Sequence, residues 1–146
     1  MNKFSKAVLE SLSDNVKKDI GLVEYEEDIQ LKVVAHIKKY YPDVVFQTNP
    51  YSGMKQTKYQ AIKAKKLGHI SGFPDLQIYK PSKGYNGLFV ELKKEDVKLF
   101  KKDGNYVSEH IQKQAELLKR LTDNNYYACF CIGYQKAIET IDWYLL

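Results

Sequence analysis

The sequence predicts an α/β fold, a central mixed sheet of about four strands flanked by helices. Three observations carry that expectation. Segments 24–41 and 108–124 repeat apolar residues at helical spacing. Short runs rich in β-branched and aromatic residues lie at 44–48, 75–79, 88–93 and 126–132. The two kinds of segment are interleaved, which is the pattern of one sheet covered by helices.

Taken in order, residues 1–22 are expected to form a peripheral N-terminal segment, with a weak helical pattern over 6–12. Residues 23–146 are expected to form a single domain, a length that fits one core. The first helix, 24–41, stops before Pro42. A strand over 44–48 leads into a turn-like stretch at 49–53. Residues 55–67 read as a basic helix closed by Gly68. Strands 75–79 and 88–93 are joined by Lys-Pro-Ser-Lys-Gly-Tyr-Asn-Gly, which is dense in turn formers and marks an antiparallel hairpin. A lysine-heavy loop spans 94–105. Ser108 is placed to cap the helix over 108–124. A strand over 126–132 and a helix over 134–144 close the chain, and the crossover through 108–124 should be right-handed.

The composition is that of a folded chain, with 44% hydrophobic and 28% charged residues. The formal charge is +5 and the pI about 9.0. Lysine supplies most of the positive charge, and there are 12 tyrosines. Cations interleaved with aromatics suit a nucleic acid, although a merely lysine-rich protein has the same balance. Cys129 and Cys131 are one residue apart and point the same way on a strand. Two thiols do not complete a zinc site, so they read as reduced core residues. No run approaches the roughly 18 apolar residues of a membrane span. With no apolar leader either, the expected location is cytoplasmic.

The chemistry gathers in Gly72-Phe73-Pro74-Asp75 and, sixteen residues after Asp75, Glu91-Leu92-Lys93. Glu91 and Lys93 leave the same face of their strand. A hairpin centred near Lys83 and Gly84 sets Asp75 opposite about Leu92, close to both. Two carboxylates hold Mg²⁺ or Mn²⁺ through oxygen ligands. The metal acidifies its water, and a nearby lysine orients that water or offsets charge building on phosphate. The same spacing also arises from an ordinary Glu–Lys pair beside a hairpin aspartate.

Two helical residues bear on that choice. At about 100° per residue, Ile29, Val33, Ile37 and Tyr40 make the inward stripe of the first helix, with Glu26 near its centre and Gln30 beside it. In the helix from Ser108 the stripe is Ile111, Ala115, Leu118 and Leu121, and Gln114 falls inside it. A carboxylate and an amide aimed inward need partners, which a metal site at the sheet's end would supply. Partial solvation at the helix starts is the alternative for each.

These residues resemble a known family. Gly-Phe-Pro-Asp followed by Glu-Leu-Lys resembles the PD-(D/E)xK nuclease superfamily. More specifically, the chain resembles its VRR-NUC family, the virus-type replication and repair nucleases, in the stand-alone phage or bacterial form. The likeness runs from Glu26-x-x-Ile29-Gln30 through Gly68-His-Ile-Ser-Gly-Phe-Pro-Asp-Leu76 and Phe89-Val-Glu-Leu-Lys-Lys94. It continues through the helix with Gln114 to Cys131-Ile-Gly-Tyr134. It implies a restriction-endonuclease-like fold and a divalent-metal-dependent endodeoxyribonuclease. Carried over, Asp75 and Glu91 would hold the metal, Glu26 would belong to the metal or water shell, and Lys93 would be the catalytic lysine. Gln114 would orient Lys93 or phosphate. The resemblance further implies a homodimer acting on branched DNA such as Holliday junctions.

Lys55, Lys58, Lys63, Lys65, Lys66 and Lys94 flank the two motifs and are candidate DNA-backbone contacts. His69, six residues before Asp75, could reach a phosphate, but a lone histidine reads first as structural or exposed. Two other functions remain open. One is a restriction-type or nicking nuclease on ordinary duplex. The other is a non-catalytic DNA-binding module, which would gain little from two carboxylates facing phosphates.

Overall fold

The computed structural model describes residues 11, 13, 16, 17, 24–49 and 54–146. The helix expected over 6–12, except at residue 11, and the turn expected over 49–53, except at residue 49, lie outside them. Helix α1 is Glu26–Tyr40, followed by strand β1 at Phe46–Thr48 and helix α2 at Lys58–Lys66. Strands β2 (Leu76–Ile78) and β3 (Leu88–Lys93) come next. Helix α3 (Glu109–Asp123), strand β4 (Tyr127–Ile132) and helix α4 (Tyr134–Leu145) complete the fold. The sheet order is β1-β2-β3-β4; β1 and β3 run antiparallel to β2, and β4 runs parallel to β3 through the α3 crossover. The mixed four-stranded α/β sheet expected from the sequence is the one observed.

Local chemistry explains the helix limits. Helix α1 starts where the Tyr25 N–H donates to Asp28 Oδ2 at 3.0 Å. Its acids Glu26, Glu27 and Asp28 sit at the positive end of the helix dipole, and Lys38 and Lys39 at the negative end. Helix α2 opens with a reciprocal cap. Gln60 N–H donates to Thr57 Oγ1 at 3.2 Å, and Thr57 N–H donates to Gln60 Oε1 at 3.0 Å. Ser108 caps α3, accepting from Ile111 N–H at 3.2 Å.

One face of the sheet carries the main core. Leu76, Ile78, Leu88, Val90, Leu92 and Cys131 pack there against Ile29, Val33 and Ile37 of α1 and Ala137, Ile138, Ile141 and Tyr144 of α4. Burying each of these large aliphatic side chains stabilises the fold by roughly 1.5–3 kcal/mol. Tyr41 O–H and His36 Nε2 both reach Asp142 Oδ1, at 2.7 and 2.8 Å, and tie α1 to α4. The thiols of Cys129 and Cys131 lie 3.9 Å apart on this side.

Two stripe assignments need correction. Tyr40 is exposed and lies against His36, because α1 has by then run past the core; Tyr41 packs there instead. In α3 the buried residues are Ile111, Gln114, Leu117 and Leu118. Ala115 and Leu121 are half-buried. The buried face is therefore centred closer to Gln114 than the apolar residues alone indicate.

The hairpin also differs from expectation in one respect. Its tight turn is centred on Lys83 and Gly84, both with positive φ (54° and 84°), bracketed by the Ser82–Tyr85 bridge. The ladder beyond it pairs Ile78 with Leu88 and Leu76 with Val90. Three residues (79–81) thus separate the bridge from the ladder on one arm and two (86–87) on the other. The extra residue shifts the register by one. Asp75, one step beyond β2, stands across from Glu91 and not from Leu92.

Candidate active site

The second face of the sheet carries the polar constellation. Side chains alternate along β3, so Leu88, Val90 and Leu92 enter the core while Phe89, Glu91 and Lys93 face the side covered by α3. Directly opposed residues of an antiparallel pair share a face, so the shifted register brings Asp75 onto the Glu91 side. Gly72 makes the approach possible. Its φ is +77°, a conformation glycine adopts without strain, and a Cβ there would sit 3.7 Å from Gln114 Cγ. Phe73 then packs edge-on against Phe89 at 5.9 Å, and buried Pro74 leads into Asp75.

Asp75, Glu91, Lys93 and Gln114 are all at most 5% exposed. Asp75 Oδ2 accepts the Leu92 N–H at 2.9 Å, so its side chain takes up a β3 donor just past the end of β2. Glu91 Oε1 accepts from Gln114 Nε2 at 2.5 Å and from Lys93 Nζ at 3.4 Å. Glu26, in the first turn of α1, reaches Lys93 Nζ at 3.9 Å with its own side chain 44% exposed. The five residues singled out in the sequence are therefore contiguous, four of them buried and Glu26 at the open rim.

The electrostatics are strained in one direction. The Glu91 carboxyl is pushed up to about 9, first by burial and then by the neighbouring Asp75 carboxylate, against the opposing pull of Lys93. Its Oε2 is buried without a hydrogen-bond partner, and so is Gln114 Oε1. Buried oxygens rarely stay unpaired. Two adjoining carboxylates with a spare inward oxygen fit a hard divalent cation that takes oxygen ligands and keeps several waters. Among the described residues, no group of three or more His, Cys, Asp or Glu side chains is placed to hold a metal. The fit therefore rests on the Asp75–Glu91 pair, with Glu26 one residue removed, across Lys93.

Asp75, Glu91 and Gln114 open into a cleft of about 690 Å³. The end of α2 and the loop after it, including Leu67, Gly68 and His69, line the same cleft, as do Met54 and His110. His69 is exposed. His110, Met54 and Leu67 were not anticipated as cleft residues, since position relative to a cleft leaves no periodic mark in a sequence. Lys55, Lys58, Lys63, Lys65 and Lys66 are exposed along the α2 segment. Lys94 is half-buried and pairs with Asp96 at 3.7 Å.

The fold, a mixed four-stranded sheet flanked by helices, is consistent with a restriction-endonuclease-like α/β fold. The chain shares its fold with a solved structure described as a VRR_NUC domain protein. The two superpose with a TM-score of 0.64 at 24% sequence identity, over 84% of this chain and 88% of the other. No protein-family model matches the chain, and no curated protein matches it. Among the described residues no helix is long and apolar enough to cross a membrane.

Proposed function

We propose that the chain is a divalent-metal-dependent endodeoxyribonuclease of the VRR-NUC type that hydrolyses phosphodiester bonds in branched DNA. The observation that carries this reading is Glu91, buried on the central strand across from Asp75 and beside Lys93, with one carboxylate oxygen left without a partner. The shared fold supports it.

Asp75 and Glu91 are the residues that would hold Mg²⁺ or Mn²⁺. When bound, the cation would supply Lewis acidity and lower the pKa of a bound water below that of bulk water. The protein's own groups do the positioning. Asp75 is fixed by the Leu92 N–H, and Glu91 by the Gln114 amide. Lys93, held between Glu91 and Glu26, stands ready to orient the attacking water and to offset charge growing on the phosphate. Glu26, at the rim, acts through Lys93 or through water. The exposed lysines of the α2 segment, with Lys94, contact the DNA backbone and set affinity without reading sequence. A two-fold dimer of such sites suits a four-way junction, which offers two equivalent strands to cut.

The test is cleavage of labelled four-way junction, flap, nicked and plain duplex DNA in Mg²⁺, Mn²⁺ or EDTA, with Asp75→Ala alongside. Junctions should be cut in either metal. EDTA or Asp75→Ala should lower the rate by at least about 10³-fold. Absence of cutting in both metals, with binding retained, would leave a DNA-binding module. Equal cutting of plain duplex would leave a restriction-type or nicking enzyme. Light scattering showing a monomer at working concentration would remove the dimer.

A further inference from the structure

The α2 segment combines two features that its lysines alone do not explain. Between Asp43 and Asp75 the chain has no acidic residue, yet it carries Lys55, Lys58, Lys63, Lys65 and Lys66. Within this stretch, Met54 and Leu67 line the same cleft as Asp75 and Glu91, and they are 63% and 77% exposed. Large apolar side chains left in water at the mouth of a polar cleft need an apolar partner to be of use. Helix α2 has no buried residue of its own, so neither side chain is there to complete the core. A second copy of this chain is a poor partner, because a two-fold contact would bring two acid-free, lysine-rich segments together. A nucleic acid offers both what the lysines need and what the apolar groups need: phosphates outside and base faces within.

We infer that Met54 and Leu67 form an apolar wedge that enters the base stack of DNA held by the surrounding lysines, unstacking the step presented to Asp75 and Glu91. The inference rests on the nuclease reading of that site and adds how the substrate is chosen. Leucine and methionine are among the side chains that proteins insert between base steps, and insertion costs least where stacking is already broken. A branch point, flap or nick supplies such a step, whereas plain duplex must first be opened. Selection by branch structure then comes from the cost of unstacking, with no contact to a particular base sequence.

The test uses the full chain and a four-way junction carrying 2-aminopurine beside the branch, in EDTA so that nothing is cut. Binding by the wild type should raise 2-aminopurine emission by about twofold or more, the mark of an unstacked base. Met54→Ser and Leu67→Ser, singly and together, should bind within about threefold of wild-type affinity, because the phosphate contacts remain. The pair together should abolish the emission rise. Both sites are exposed, and an unchanged melting temperature checks that the variants fold. Emission that rises equally in the double variant overturns the wedge, as does failure of the wild type to bind any DNA. A change from dimer to monomer in the double variant assigns these side chains to a second copy and overturns it too. Failure of the nuclease reading looks different: the base is unstacked by the wild type and not by the variant, yet no DNA is cut in Mg²⁺ or Mn²⁺.

Discussion

Glu91 shows how one buried group links stability to the proposed chemistry. Its carboxyl ionises in the folded protein at about 9, against an ordinary value of 4.5. Between those two values the folded protein keeps a proton that the unfolded chain releases. Stability in the absence of metal is therefore greatest below about pH 4.5 as far as this group is concerned, and is lost as pH rises toward 9. Replacing the carboxyl with a neutral amide removes the dependence. Glu91→Gln in EDTA at pH 8 should melt at least about 3 °C above wild type, the equivalent of roughly 1 kcal/mol in a domain of this size. The difference should close near pH 5. Adding Mg²⁺ should raise the wild-type melting temperature at pH 8 and leave Glu91→Gln unmoved, since only a species that binds the folded state stabilises it. Thermal denaturation followed by circular dichroism measures all three. The identities of the polar residues that meet here were legible in the sequence, because a carboxylate or amide on an apolar stripe stands out. Their exposure was less so. Glu26 shares the stripe of Ile29 and Val33, but it lies in the first turn, where the core ends and water begins.

At the scale of elements, helix α3 is the scaffold of Gln114, and Ser108 fixes where that helix begins. Ser108→Ala should cost about 1 kcal/mol through the lost cap. It should leave the cleavage rate at saturating DNA within about twofold, because Gln114 lies beyond the first turn; denaturant titration and the junction assay separate the two effects. Spans of helix and strand could be read to within a few residues from periodicity, caps and Pro42. Packing partners were harder. Leu117 is buried and Ala115 only half so, because the face that meets the sheet includes Gln114, whose polarity removes it from any apolar count. The register of the hairpin was hidden as well. Its turn could be located at Lys83-Gly84, but the unequal arms that follow obey no sequence periodicity.

Over the whole molecule, charge distribution should govern affinity. If the five lysines between Met54 and Leu67 meet phosphates, binding will weaken steeply with salt, by about 0.9 in log K per log unit of salt for each phosphate neutralised. Lys63→Ala and Lys66→Ala should each reduce that slope by about 1 and weaken junction and duplex binding alike. Fluorescence anisotropy across a salt series measures it, and an unchanged slope would place these lysines away from the DNA. Net charge was legible from composition, and alternation of helix and strand foretold a mixed sheet. What composition could not show is that an acid-free stretch lines the same cleft as the carboxylates.

The unequal arms of the hairpin give this molecule one residue to spare on the arm that leads away from Asp75. Exposed loops ordinarily accept gained or lost residues. Here, removing one residue from 79–81 would equalise the arms and leave Ile78 opposite Leu88, so Asp75 would still stand across from Glu91. A single-codon deletion in that loop should leave the carboxylates facing each other, whereas one inside β2 would turn Asp75 to the apolar side and disarm the pair without touching either residue.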